Sequence, residues 1–395
     1  ALATGVKLTR VEIEGGGVQQ GVDEDEEQGV DEDEFDNISL SKDVLPFVIP
    51  LLCIMTMDND QSDVMAMMQT IKSDPSLMTV FRDQSYIWWG RDEVIHLMEH
   101  ILGKYIRRDS SIYNIALQFK MSLKSLIDTP KDLLELIDGC LKPKEVEKRK
   151  FGEVFTPMNF INNNMLSDLE SHYKKTRGTN IYENPNLKWA DTTAGMGNFP
   201  IALFYKLMDG LKMTIPVKEN RKKHILENML YMCELNKKNC FIIKQIFNID
   251  NRYKLNLVEG DSLKLDIRKE FGFDQFDIVI GNPPYNEELK TTGAAALYNK
   301  FTEYYIEKCD LLCFVIPSRW FSGGKGLTGF RKYMLDRTDI AYMKHYDDAS
   351  KIFGNSVSIE GGVNYFLKDS LYTGDCMYNG SLTKLNKYDT FVDGK

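Results

Sequence analysis

From Phe151 onward, short apolar runs alternate with helical segments, and this alternation constrains the fold more than any other feature of the chain. The runs are Leu187–Asp191, Met229–Glu234, Leu255–Glu259, Phe276–Gly281, Leu311–Ile316, Ile340–Tyr346 and Val363–Lys368. Each has strand length, and the segments between them are helical, so the pattern predicts an α/β fold with a doubly wound parallel sheet. In such sheets ligands bind beyond the carboxyl ends of the strands, where the strand order reverses. Asp191, Glu234, Asp261 and Asn282 each end or immediately follow a run. One acid at a strand end is an ordinary solvated loop residue. Four polar groups in series argue for one shared pocket.

The fourth run, FDIVIG, leads straight into Asn282-Pro283-Pro284-Tyr285. Two prolines forbid helix and withhold two backbone donors, which leaves carbonyls facing outward. An amide side chain, a carbonyl and an aromatic ring together suit a planar ligand that carries an amino group. The Asn282 side-chain oxygen and the Pro283 carbonyl are placed to accept both protons of an exocyclic NH2, with Tyr285 stacked on the ring. A rigid turn needs only one proline, and this tetrapeptide arises by chance in roughly one chain of this length per thousand.

The net charge of −9 conceals an uneven distribution. Residues 1–38 hold twelve Asp/Glu and two Lys/Arg, so −10 of the −9 lies there and the rest is +1. GVDEDE occurs twice in this stretch, and large apolar residues are nearly absent. It reads as a disordered acidic tail. Mimicry of nucleic-acid charge is the functional alternative to a plain solvated tail. The seven cysteines form no C-x-x-C pair, which argues against zinc and structural disulfides and for a reducing compartment. The apolar stretch Leu45–Met55 is broken by Pro46 and Pro50 and is too short to span a bilayer, so no membrane role is expected.

Residues 39–150 read as a helical N-terminal domain. Apolar residues recur at helical spacing through Val64–Ile71 and Val94–Ile106. Thr129-Pro130-Lys131-Asp132 is a helix start, with Thr129 as cap, and the helix runs to about Leu141. Trp88 and Trp89 read as core residues before they read as a base-stacking platform. The region lacks the acidic-plus-lysine spacing of a nuclease. Residues 151–368 then form the α/β domain, and 369–395 follow it.

Asp191-Thr-Thr-Ala-Gly195-Met-Gly197-Asn198-Phe199 follows the first run and opens a helix. Its two glycines permit a tight turn and bring backbone close to a ligand at a helix N-terminus. Glu234 ends the second run, where a carboxylate suits ribose hydroxyls. Asp261-Ser262 follows the third and suits an adenine amino group. Together these indicate an adenosine-type cofactor.

With these residues in place, about 149–395 resembles the S-adenosylmethionine-dependent DNA adenine-N6 methyltransferases of restriction–modification systems. The resemblance is carried by FGEVFTP (Phe151–Pro157), DTTAGMGNF (Asp191–Phe199), Glu234, EGDSL (Glu259–Leu263) and GNPPY (Gly281–Tyr285). VIPSRWFSGGKG (Val315–Gly326) and IFGNSVSIEGGVNYF (Ile352–Phe366) follow. FGEVFTP before the glycine loop and NPPY after it fit the gamma-class order. Thr192 stands where the family usually has proline.

The resemblance implies a Rossmann-like class I methyltransferase fold and S-adenosyl-L-methionine as cofactor. Phe155, Thr156 and Pro157 would line its methionine end, with Asp191, Gly195 and Gly197 around the amino-acid part. Glu234 would hold the ribose, and Asp261 with Ser262 the adenine. Asn282, Pro283, Pro284 and Tyr285 would receive a flipped-out adenine, with Phe353 as the second aromatic face. Arg319 and Lys325 are the candidate DNA contacts, and Thr291–Ala296 is a segment expected to order over the substrate. No metal is expected. The implied partners are double-stranded DNA and a nuclease or specificity subunit, in the cytoplasm, at the nucleoid or in a virus-infected host. The alternatives are a protein-glutamine or RNA methyltransferase, since NPPY serves any planar amide or amino group, and a non-catalytic DNA-binding subunit.

Overall fold

A computed structural model of the chain describes residues 45–61, 63–89, 95, 99, 111–140, 155–288, 294–324, 326–354 and 359–385. The chain divides into two compact units, residues 1–142 and 143–395. The acidic tail, most of Val94–Ile106 and the FGEV half of FGEVFTP lie outside the described residues.

In the first unit the described residues form helices Leu45–Met55, Val64–Ser73, Pro75–Trp89, Ser111–Leu126 and Pro130–Cys140. Asp63 caps the second of these by accepting the amides of Met65 and Ala66. Pro130 opens the last helix, as its fixed φ favours. Thr129, however, donates its hydroxyl back to Leu126 O at 3.1 Å. Leu51, Leu52, Met67, Ile71, Phe81 and Leu123 are buried at 1% exposure or less. Trp88 belongs to this core, with its indole N–H donated to Gln84.

The second unit is built on a nine-stranded sheet. Its strands are β1 (Trp189–Asp191), β2 (Leu230–Glu234), β3 (Asn256–Glu259), β4 (Phe276–Gly281), β7 (Cys309–Pro317), β8 (Ile340–Tyr346), β9 (Val363–Asp369), β10 (Cys376–Tyr378) and β11 (Ser381–Thr383). Two further short strands, β5 (Asn286–Glu288) and β6 (Ala294–Ala296), pair as a separate antiparallel ribbon. The sheet order is β11-β10-β8-β9-β7-β4-β1-β2-β3. The chain moves outward from β1 to β3, then returns to lay β4 on the other side of β1. The strand order therefore reverses between β1 and β4, and a crevice opens above them.

The sheet is not parallel throughout. β9 runs antiparallel between β7 and β8, with Phe314 opposite Phe366 and Lys344 opposite Tyr365. Between β8 and β9 the described residues hold a one-turn helix, Ser350–Phe353, and the chain re-enters the sheet from the end it left. Gly361 and Gly362 make the return at φ 79° and 70°. A Cβ on Gly362 would lie 1.9 Å from Tyr346 O, so only glycine fits there. β10 and β11 extend the same sheet beyond Lys368, the predicted end of the catalytic domain.

Alternation along β4 sends Val279 to one face and Ile278 and Ile280 to the other. Val279 joins a core with Phe314, Tyr298, Phe301, Tyr305 and Phe330. Asp369, at the end of β9, is fully buried and takes two hydrogen bonds from Arg177 (2.6 and 2.7 Å) and one contact from His172 (2.7 Å). These bonds fasten helix Ser167–Arg177 to the sheet. All six described cysteines with a described side chain (Cys53, Cys233, Cys240, Cys309, Cys313 and Cys376) are buried free thiols.

Candidate active site

The glycine loop leaves β1 and is held by side chains on neighbouring strands. Gly195 and Gly197 both take positive φ, 54° and 101°. Gly195 donates its amide to Glu234 Oε2 at 2.8 Å, and Asn236 donates to Glu234 Oε1 at 2.7 Å. Glu234, at the end of β2 and 8% exposed, is thereby fixed in orientation. A Cβ on Gly195 would lie 3.3 Å from the Phe155 ring, so the glycine lets Phe155 close over the loop. Gly197 precedes helix Asn198–Gly210, whose first residue reaches back: Asn198 Nδ2 donates to Thr156 O at 3.0 Å. The segment Phe155–Pro157 is thus bound to the loop despite the sequence distance between them.

Across the crevice, β4 ends at Gly281 and the NPPY turn begins. Thr193 donates its hydroxyl to Asn282 O at 3.3 Å, which joins the ends of β1 and β4. Tyr285 is 6% exposed; burial pushes its phenol pKa up, and a hydrogen bond with Asn282 opposes that. The ring is therefore a neutral phenol across the working pH range. Leu297 donates its amide to Tyr285 O at 3.0 Å.

These elements enclose one cavity of about 520 Å³. Phe155, Thr156, Gly195 and Glu234 line one part of it, Asp261 and Ser262 another. Asn282, Pro283, Pro284 and Tyr285 all line it as well. The volume lies within the range of small-molecule sites. Two of its lining residues, Thr156 and Asn198, carry side-chain oxygens (Oγ1 and Oδ1) that are buried and without a hydrogen-bond partner among the described residues. Buried polar atoms normally find partners, so the wall suits a ligand rich in donors and acceptors. An amino-acid- and nucleoside-bearing cofactor such as S-adenosyl-L-methionine fits that description.

Other residues singled out from the sequence stand apart from the cavity wall. Asp191 lies beneath it, fully buried: Oδ1 accepts the Thr193 amide at 3.0 Å, and Oδ2 has no partner among the described residues. Burial, with the charge of Glu234 adding and the Thr193 N–H opposing, pushes its pKa up to about 8. Gly197 shapes the helix start, and Pro157 precedes helix Met158–Phe160; neither lines the cavity. Phe353 is half-buried on helix Ser350–Phe353, and Arg319 faces Glu360 at 3.7 Å; both are off the wall. Lys325 lies outside the described residues. Of the segment expected to order over the substrate, Ala294–Ala296 forms β6, and 291–293 lie outside the described residues.

The sequence reading missed Asn198, Leu235, Lys300 and Phe301, which also line the cavity. Leu235 directly follows the strand-ending Glu234, and Asn198 follows the second glycine, so position alone was a signal for both. Lys300 and Phe301 come from helix Tyr298–Tyr305, which no local motif announces. Among the described residues no group of three or more His, Cys, Asp or Glu is arranged to hold a metal, and no helix is long and apolar enough to cross a membrane.

Residues 201–353 match the Eco57I restriction-modification methylase family, a span that includes Glu234, Asp261 and the NPPY turn. A relative described as an uncharacterized adenine-specific methylase of Mycoplasma pneumoniae is 23% identical over 333 residues, covering 65% of this chain and 74% of the relative. Among solved structures, a DrdV–DNA complex has a TM-score of 0.55 at 14% identity and covers 90% of this chain. A structure from a study of type I restriction–modification assembly has a TM-score of 0.54 at 13% identity, with 87% of this chain covered. At those identities the likeness shows the α/β fold alone. This chain spans 39% of the DrdV chain and 73% of the type I chain.

Proposed function

We propose that this chain is an S-adenosyl-L-methionine-dependent DNA adenine-N6 methyltransferase. The observation that carries the reading is the convergence of Asn282–Tyr285 with Glu234, Asp261, Gly195 and Thr156 on one cavity at the strand-order reversal. The adenine-specific relative and the family match support the same chemistry.

Thr156 and the Gly195 loop hold the amino-acid end of the cofactor, Glu234 the ribose, and Asp261 with Ser262 the adenine. When bound, S-adenosyl-L-methionine supplies an electrophilic methyl group on a positively charged sulfur. A target adenine inside a duplex has its amino group occupied, so it leaves the helix to enter the cavity. Asn282 Oδ1 and the Pro283 carbonyl accept its two N6 protons, which turns the nitrogen lone pair toward the cofactor side. The Thr193–Asn282 bond and the two prolines keep those acceptors in place before the base arrives. Tyr285 packs against the base as a neutral ring. Catalysis is alignment and electrostatics, with no covalent enzyme intermediate.

Double-stranded DNA is the substrate, and a nuclease or specificity subunit is the partner of such a domain, in whatever compartment holds that DNA. The test is tritium transfer from labelled S-adenosyl-L-methionine to unmethylated duplex DNA, with nucleoside analysis of the product. Label in N6-methyladenine supports the reading. Label confined to RNA or to protein glutamine refutes the substrate, and failure to bind the cofactor refutes the reading as a whole.

A further inference from the structure

We infer that Tyr305, which lies outside the cavity wall, is a positioning residue for the adenosine end of the cofactor, acting through helix Tyr298–Tyr305. The inference rests on the reading above, in which Asp261 takes the adenine amino group.

Tyr305 is fully buried, and its hydroxyl donates to Ser262 O at 2.6 Å. The same carbonyl accepts the Leu265 amide at 3.3 Å, closing the tight turn that carries Asp261, Ser262 and Leu263 into the cavity. The neighbouring Tyr304 donates its hydroxyl to Leu265 O at 3.0 Å. Two consecutive tyrosines therefore pin one five-residue segment from behind. Burial pushes the Tyr305 phenol pKa up, and its bond to Ser262 opposes that, so it stays a donor at any working pH. At its other end the helix is joined to the NPPY turn by the Leu297-to-Tyr285 bond, and it brings Lys300 and Phe301 to the cavity. One short helix thus touches both the cofactor-adenine wall and the base-accepting turn.

If Tyr305 sets the placement of Asp261, its hydroxyl governs discrimination at the adenine edge more than overall binding. The experiment compares S-adenosylhomocysteine with S-inosylhomocysteine, in which the adenine amino group is replaced by a carbonyl. The wild-type chain is expected to prefer the adenine ligand. Tyr305→Phe is expected to lower that preference about fivefold, the factor of roughly one neutral hydrogen bond, while Tyr304→Phe changes it less than twofold. Equal weakening of both ligands by Tyr305→Phe would mark a merely structural residue and overturn the inference. A wild-type chain that binds both ligands equally overturns the Asp261 assignment and the inference with it. One that binds neither overturns the cofactor reading instead. Should Tyr305→Phe not fold, hydrogen exchange in the unmodified protein decides: adenosine alone is expected to slow exchange in residues 298–305 as well as 261–265. Slowing confined to 261–265 overturns the link.

Discussion

Asp191→Asn offers a sharp physical test of the site's foundation. The wild-type carboxyl is fully buried, accepts one backbone amide, and has its pKa pushed up from 3.8 to about 8. A shift of about four units corresponds to on the order of 5 kcal/mol at 1.36 kcal/mol per unit. The sign follows from proton counting. Between pH 4 and 8 the unfolded chain has released this proton and the folded chain has kept it, so stability falls with rising pH by up to about 1.4 kcal/mol per unit. Below pH 4 both states are protonated and the contribution is fully present. Above pH 8 it is lost. Asparagine has the same shape, still accepts from Thr193 through its oxygen, and never ionises. The buried NH2 that replaces Oδ2 costs about 1–3 kcal/mol at every pH if it finds no acceptor. The variant is therefore expected to be no more stable than wild type at pH 4 and to gain on it steadily up to pH 8. Denaturant unfolding at several pH values, followed by tryptophan fluorescence with Trp189 two residues away, measures this difference. Parallel stability curves for the two proteins would refute the buried, protonated Asp191.

Asn282→Ala is expected to reduce kcat for DNA methylation by at least about 100-fold while the cofactor Kd stays within about twofold; retained turnover would remove Asn282 from the site. Glu234→Ala strips the acceptor from the Gly195 amide as well as the proposed ribose contact. Calorimetry with S-adenosylhomocysteine should then show affinity weaker by about 10- to 100-fold, the scale of a charge-assisted hydrogen bond, and an unchanged Kd would show that the end of β2 is misassigned. At Asp369, burial raises the carboxyl pKa, but the bonds from Arg177 and His172 outweigh it and hold the group well below the usual range. Its stabilising effect is present above pH 4 and lost as pH falls. Asp369→Asn leaves Arg177 half-partnered, so thermal and denaturant unfolding at pH 7 should show a loss of about 3 kcal/mol, shrinking toward acid pH; a loss constant with pH would contradict the ion pair.

The sheet was legible in outline because strand burial leaves a local mark. FDIVIG and Ile340–Tyr346 became β4 and β8 without change of boundary, and the other runs shifted by at most two residues at an end. Strand direction leaves no such mark. Val363–Asp369 has the same apolar character whichever way it runs, and its direction follows from the short connection before it, in which the described residues hold a one-turn helix. The stretch after Lys368 was equally opaque, because β10 and β11 are three residues each, the first partly buried and the second mostly exposed, with no run long enough to announce a strand.

For the site, the division falls between residues whose role is set by their own backbone and those whose role depends on a neighbour. Gly195, Asn282 and the two prolines line the cavity where the chain turns at a strand end, a position that spacing alone marks. Asp191 ends a run just as Glu234 does, yet Glu234 lines the cavity and Asp191 lies under it. The difference comes from Gly281. The missing side chain there admits the Asp191 carboxyl, with Oδ1 only 2.9 Å from where a Cβ would stand. A strand-end carboxylate opposite a glycine on the adjacent strand can fold down into the sheet, whereas one beside a glycine loop is held up by backbone amides. That distinction requires knowing that β1 and β4 are neighbours, which is a property of the strand order and of no single motif.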